Sequence, residues 1–559
     1  MSGRRTRRVA SVAVAIALFA AFAATSDAAA DNVPVGGVVT EQAYLCGAAD
    51  LPETGIQGDV PRADQTSGRA ERGYNCGLAL VGHATLDADG REPTGNANMA
   101  WSGDCAYVAG PGAVFGNPSP APGDGVAVVD VSDPANPQHV RTLRNPGSTA
   151  ALETLHAVQT RNRAVLVVGQ YGNQAGGDKP MDVYDVSDCA TPRLLQTFRW
   201  PENIHNLTIS GNGRYVFATQ PLQAVNIDPL FDANPATGIV YLGNLENAIA
   251  SAPFATGPSG DLDDAVPTAV TDETHSFYLS HEAWPTRDGT KLYLGGQLPT
   301  WETFTIVDIA LWLTRDALNR PSGAPRVISQ RSGRGHSVRT ATVRDATNHT
   351  RRFALHSEES VFGPAYGCLP ETLNPVAGAA QPWLTDITDE ANPALVSQFG
   401  LEINDPENCP AQMDSGVNAS VHYHDVDNAD DTTFVMASMW NAGLRVFDIR
   451  HPETPREVAY FNPADVAPGP TTTLDHAWGH VRYVPETGHI WFATAEGGFW
   501  VVEIEPQVRA QLDLDAPSRD RPRHPRGRAG TEGVEPNLAA VLALDVTQYY
   551  CTLGTVNAL

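Results

Sequence analysis

The chain has 559 residues, with 37 Lys+Arg against 64 Asp+Glu and a formal net charge of -27. That acidity argues against nucleic acid and anionic membrane surfaces, because both need a basic field. Hydrophobic residues make up 42% and charged residues 18%, with 50 Gly and 42 Pro, so the chain can bury a large core and is rich in turns rather than long helices.

Residues 1–30 read as a secretory signal peptide. Arg4, Arg5, Arg7 and Arg8 precede an apolar run from Val9 to Ala24, followed by the small residues Ala28, Ala29 and Ala30. A basic start, an apolar stretch too short to span and a small-residue break are the marks of an export signal. No later apolar stretch approaches the roughly 20 residues of a membrane span. The expectation is a secreted or periplasmic protein without a span. Residues 31–76 then form an N-terminal segment. Seven cysteines follow the signal, Cys46, Cys76, Cys105, Cys189, Cys368, Cys409 and Cys551. Disulfides are the default in an exported chain, and an odd count leaves one thiol over. Cys46 with Cys76, and Cys368 with Cys409, are the expected pairs, because each would staple a turn-rich insertion.

From residue 77 to 506 one pattern recurs. GVAVVDVSDPANP (Gly125 to Pro137), MDVYDVSDCATP (Met181 to Pro192), PWLTDITDEANP (Pro382 to Pro393) and LRVFDIRHPETP (Leu444 to Pro455) each run from a β-rich stretch to an Asp, with a Pro seven residues later. Weaker copies lie at Thr305 to Ile309 and Val501 to Pro506. The reading is a strand, a tight Asp/Pro turn and a further strand. Upstream of each copy lies a hairpin, seven in all, starting at Asn98, His156, His205, His281, His336, His424 and His480. Strand units that cannot bury both faces alone signal a propeller or solenoid. The predicted fold is all-β, a single seven-bladed β-propeller. Insertions at Leu230 to Asp272 and Ser360 to Gln381 account for its length. The last unit lacks an outer strand, and GLALVGHATL (Gly77 to Leu86) is a spare one, so N-terminal strand closure of the ring is expected, which removes both exposed edges. Residues 507–535 read as a Pro/Arg-rich linker and 536–559 as a C-terminal tail.

The VVDVSDP-type repeats resemble the LVIVD-repeat family of exported bacterial β-propellers. The stretch from HDVDNADDTTFVMASMWNAGLRVFDIRHPETPREVAYFNP to GGFWVVEIEP is similar to the closing blades of those proteins. The resemblance implies the fold. It implies little about activity, because propellers host many functions. Such sequences also look distantly like selenium-binding proteins, whose exported bacterial relatives include copper-dependent thiol oxidases.

The histidines carry the chemical signal. His156, His205, His281, His336, His424 and His480 open the hairpins of six successive blades, and a blade's first strand lines the central channel. They are therefore expected to converge near one mouth of the channel. Imidazole is the commonest transition-metal ligand, so three or four of them could hold iron or copper. The alternative is that each His packs its strand against the neighbouring blade without metal. His422 and His424 are two apart and could face the same way on a strand; His476 and His480 flank Trp478. Asn206, Glu282 and Asp425 each follow their blade's His, where they could orient an imidazole or cap a turn. Glu358 and Glu359 in HSEES, and the acidic loop Asp425 to Asp431, are weighed as solvated turns as well as sites. Trp440, Trp478, Trp491 and Trp500 are expected mainly in the core.

No GxSxG, Walker loop, HExxH or Rossmann fingerprint occurs in the sequence, which removes the standard hydrolase, nucleotide and zincin readings. Two classes remain. One is a metal-dependent oxidoreductase built on channel histidines. The other is a non-catalytic exported or cell-surface propeller that takes a small-molecule or surface ligand, or a protein partner, at its loop-rich face.

Overall fold

The Asp/Pro repeat works through local hydrogen bonding. Asp130, Asp185, Asp386 and Asp448 each end a third strand and accept, through Oδ1, the backbone N–H two residues on, at 2.9, 3.0, 2.8 and 3.0 Å. Asp308 in the weaker copy does the same toward Ala310 at 3.0 Å. This Asx turn reverses the chain without help from tertiary contacts. The Pro that follows sits just ahead of a fourth strand, where a missing N–H costs nothing. Pro137, Pro192, Pro393 and Pro455 precede strands that start at Gln138, Arg193, Ala394 and Arg456.

The computed structural model describes residues 40–514 apart from 92–94, 111–124, 172–178, 233–237, 251–279, 297–302, 333–334, 345–348, 358–380, 464–473 and 478. They form a ring of seven sheets, a seven-bladed β-propeller. Blade 1 comprises Met99–Ser102, Cys105–Val108, Val126–Asp130 and Gln138–Leu143, and blade 2 Leu155–Gln159, Ala164–Gly169, Pro180–Asp185 and Arg193–Arg199. Blades 3 to 6 begin with Leu207–Ile209, Glu282–Pro285, Ser337–Arg344 and Tyr423–Val426. Blade 7 holds Arg482–Val484, His489–Thr494 and Gly498–Ile504, and its fourth strand is Leu78–Ala84, antiparallel to Gly498–Ile504. The expected N-terminal closure is thus present. Val81 bulges out of that pairing between Leu80 and Gly82. Gly82 lies so close to the first blade's turn that a Cβ there would overlap the Pro134 carbonyl and come within 2.8 Å of Pro137.

Both faces of each blade are covered, which explains the unbroken apolar run AVLVVG. Leu166 and Val168 pack toward blade 1 beside Tyr107, Val126 and Val128. Val165 and Val167 point the other way, to Ile209, Val216 and Val225 of blade 3. The alternation is the period of two of a strand, and each fully buried Val, Leu or Ile is worth about 1.5–3 kcal/mol.

The N-terminal segment adds to blade 6. Glu41–Gln42 pairs parallel and Tyr74–Cys76 antiparallel with Arg456–Asn462. Arg445, fully buried, sits between Glu53 at 2.5 Å and Glu457 at 3.2 Å, and Tyr44 and Gln57 both donate to Glu457. Cys46 bonds Cys76 as expected. Cys409 is disulfide-bonded, while Cys368 lies outside the described residues. A further disulfide, Cys105–Cys189, ties the second strand of blade 1 to a turn of blade 2 across a sequence separation of 84. A native disulfide is typically worth about 2–4 kcal/mol. Replacing both cysteines with Ser is expected to lower stability by about that amount in urea unfolding, and a loss below about 0.5 kcal/mol would refute it. Disulfides of this kind persist in oxidising compartments, which fits export. Among the described residues no helix is long and apolar enough to cross a membrane. The helix Pro506–Gln511 follows the last strand, with Val508 and Leu512 buried; residues 1–30, expected to be an export signal, and the chain beyond Leu514 lie outside the described residues.

Candidate metal centre

The segments leading into the innermost strands of blades 3, 4, 5 and 6 carry His205, His281, His336 and His422, and that of blade 2 carries Glu153. All five are buried. Nε2 of His205 lies 2.6 Å from Nε2 of His281. Glu153 Oε2 is 3.5 Å from His205 Nε2 and 3.4 Å from His281 Nε2, and Oε1 is 3.5 Å from His422 Nε2. The rings of His281 and His336 are 3.8 Å apart, and those of His336 and His422 4.5 Å. Donor atoms of Glu153, His281 and His336 all fall within 4.8 Å of one another.

These separations can be tested against a metal. Donors held about 2.0–2.1 Å from one ion lie about 2.9–3.4 Å from each other at octahedral to tetrahedral angles. The spacings between Glu153 and three imidazoles match that range closely, and the His205–His281 pair would open slightly. His336 donates Nδ1–H to the carbonyl of His422 at 3.0 Å, which leaves Nε2 as the lone-pair nitrogen that a metal needs. Among the described residues the Nδ1 atom of His205 meets no hydrogen-bond partner, so packing orients that ring. Burial, reinforced by the neighbouring imidazoles, holds His281 and His336 well below the usual histidine range. Burial alone would raise Glu153, but His281, His205 and His422 around it hold it well below the usual carboxylate range. At neutral pH Glu153 is a carboxylate beside the neutral imidazoles of His281 and His336, the protonation state of ligands.

Tyr423 steadies the carboxylate. Its hydroxyl donates to Glu153 Oε2 at 3.0 Å and accepts from Asn206 Nδ2 at 2.8 Å. Further along the same innermost strands lies a second buried layer centred on Arg339. Its guanidinium bonds Glu282 at 2.9 and 3.0 Å, Asp425 at 2.8 Å and His480 at 2.6 Å, and lies 3.7 Å above the Trp284 ring. Asp425 also accepts from Val481 N–H at 2.9 Å. Against the cost of burial, Arg339 and then His480 hold Asp425 far below the usual carboxylate range.

The arc differs from the expected six-histidine set at three positions. His205, His281 and His336 stand together as expected. In blade 6 His422 takes the place assigned to His424. The His424 ring donates Nε2–H to the Leu355 carbonyl at 2.9 Å and accepts from Ser337 Oγ at 3.0 Å, which ties blade 6 to blade 5. In blade 2 Glu153 takes the place of His156, whose Nδ1 accepts the Ile209 N–H of blade 3 at 3.0 Å. His480 of blade 7 belongs to the Arg339 layer. The cause is an offset of two or three residues. The channel-facing donors precede the strand, whereas His156 and His424 are second within theirs and face a neighbouring blade. Glu153 had a detectable signal, since Glu153-Thr154-Leu155 enters its strand at the same spacing as His205-Asn206-Leu207. Asn206 holds Tyr423 rather than an imidazole; Glu282 holds Arg339 and lies 3.6 Å from His480 Nε2, and Asp425 lies 3.2 Å from His480 Nδ1.

Other candidates resolve as structure. His356 bonds Thr385 Oγ1 at 2.9 Å and stacks on Phe304; Glu358 and Glu359 lie outside the described residues. In the acidic loop Asp427 Oδ1 accepts from Thr433 and Phe434 N–H at 2.9 and 3.1 Å, which is a capped turn. Trp491 and Trp500 are core residues.

The strand directions put the centre at one end of the ring. Connections from each fourth strand to the next blade, and from second to third strands, leave at that end. They include the long ones after Val108, Gly169, Asn244, Gly295, Ser357 and Asn462, whereas at the other end most turns are short and the longer connections are those after Asn226 and Asp308.

No family model and no curated protein matches the chain. Among solved structures it is similar to the Pseudomonas aeruginosa periplasmic gluconolactonase PpgL, with TM-score 0.40 and 10% identity over 69% of this chain and 97% of that one. It is also similar to a putative 6-phosphogluconolactonase from Bacteroides fragilis NCTC 9343, with TM-score 0.36 and 10% identity over 70% of this chain and 87% of that one. At those values the likeness carries no argument about activity, and the seven blades rest on the strand pairing itself.

Proposed function

We propose that this propeller, exported by the signal at residues 1–30, is a metalloprotein. In this reading His205, His281, His336 and His422 hold one transition-metal ion, iron or copper, with Glu153 as the charged ligand. The protein would act as an oxidoreductase on a small molecule or surface ligand that enters from the long-loop end. The observation that carries the reading is the packing of three imidazoles, from blades 3, 4 and 6, at ligand-to-ligand distance from one buried carboxylate, with a fourth, His336 of blade 5, within 4.8 Å. A propeller needs no such cluster to fold, and a buried polar group costs stability unless it is bonded or metallated. Nitrogen and oxygen donors without a sulfur suit iron and copper(II). The bound ion would supply redox and Lewis-acid chemistry. Glu153 offsets its charge, and Tyr423 and Asn206 keep the carboxylate turned to it. The LVIVD-type likeness rests on the Asp/Pro turns and supports the fold rather than the ion.

Elemental analysis of protein taken from its export compartment tests this. About one ion per chain is expected in wild type, lost in His281→Ala and His422→Ala but kept in His424→Ala and His156→Ala. Wild-type protein without metal, or retention in both arc variants, would transfer the case to a non-catalytic binding scaffold.

A further inference from the structure

Two aromatic side chains flank the arc at its long-loop end. Tyr171 follows the second strand of blade 2, and its ring lies 4.8 Å from that of His205. Trp440 lies in the turn between the second and third strands of blade 6, with its ring 5.7 Å from His422 and stacked at 5.2 Å on His476. Both are half-buried, and each ring lies beside an imidazole of the centre. They approach from the two ends of the arc, since His205 belongs to blade 3 and His422 to blade 6.

The backbone at Trp440 is unusual. Its φ is 39°, in the left-handed region where Gly or Asn is the ordinary choice and a bulky side chain is strained. The turn is tight, with Ala442 N–H bonded to Met439 O at 2.8 Å and Gly443 N–H to Trp440 O at 3.0 Å. A residue smaller than Trp would meet the needs of the turn better. Strain of this sort concentrates where a side chain has work at a site.

The polar groups beside Trp440 are committed to the backbone. Asn441 donates to the carbonyls of Leu474 and Asp475 and accepts from Asn418 N–H. Asp475 accepts from the N–H groups of His476, Glu496 and Gly497. Recognition of a polyol needs such groups turned to the ligand, whereas a flat apolar ligand needs ring faces.

We infer that the molecule received at this centre is planar and aromatic, and that Tyr171 and Trp440 hold it over the imidazoles. The inference rests on the proposal that the arc is the working site. Calorimetric titration of the native protein with 2-naphthol and, separately, with glucono-δ-lactone tests it, with metal content measured on the same samples. Binding of 2-naphthol is expected, weakened at least tenfold by Tyr171→Ala and by Trp440→Gly, a change the left-handed turn accepts. Tyr171→Phe should restore it, and metal content should be unchanged in all three variants. No binding of 2-naphthol, equal binding by both truncated variants, or binding of the lactone alone would overturn the inference. Wild-type protein that lacks metal yet binds 2-naphthol through both rings would remove the metal reading and leave this one standing.

Discussion

Replacing Arg339 with Met is expected to lower the stability of the propeller by about 3–5 kcal/mol, because it strips the counter-charge from two buried carboxylates. Arg339 is buried in the channel and touches Glu282, Asp425 and His480, which come from blades 4, 6 and 7. An ion pair so deep gains little over an apolar pair of equal shape, but half of one is strongly unfavourable. The triple variant Arg339→Met, Glu282→Gln, Asp425→Asn should therefore recover most of the loss. Urea unfolding of the three proteins reads both effects. A single variant within about 1 kcal/mol of wild type, or a triple no more stable than the single, would show that the layer is not held by charge.

The stability of the protein should also fall as pH drops from 6.5 to 5. His156 and His424 are pushed down to about 3, and His476 to about 4, burial being the main cause in each; His281 and His336 are lowered in the same way. Five imidazoles thus stay neutral in the folded chain while the unfolded chain takes up protons below about pH 6.5. Their stabilisation is complete above that pH and is lost as it falls, at about 1.4 kcal/mol per pH unit for each proton. Two carboxyls act in the opposite sense. Burial raises Glu457 to about 7 and Asp475 to about 6, so each stays protonated in the folded chain where the unfolded chain has lost the proton. Their contribution is full at low pH and disappears as pH rises through those values. Five groups against two leave a net loss on acidification. Glu457→Gln removes one of the opposing pair and should make the loss steeper by about one proton's worth. Chemical denaturation at pH 6.5, 6.0, 5.5 and 5.0 measures both slopes. A flat or rising wild-type profile, or an unchanged slope in the variant, would contradict the assignment.

What the sequence determined by itself about this protein is whatever is written in neighbouring residues. Asp130, Asp185, Asp386 and Asp448 close their turns with bonds to residues two positions on, so the blade repeat needs no tertiary knowledge. The closing strand Leu78–Ala84 followed from edge arithmetic, because one unit lacked a strand and one strand lacked a unit. Cys46–Cys76 was accessible for a similar reason, both ends lying in one short segment. The tertiary structure alone decided the rest. Cys105 meets Cys189 only because two blades pack side by side. Whether a side chain faces the channel or a neighbouring blade turns on whether it precedes the strand or lies within it, which places His422 at the centre and His424, two residues on, between blades. Glu153 joins the histidines although no histidine pattern includes it, and Arg339 gathers Glu282, Asp425 and His480 from three other blades. Local hydrogen bonds and alternation set the blades, but convergence on an axis depends on the closed ring, and no short stretch of chain encodes it.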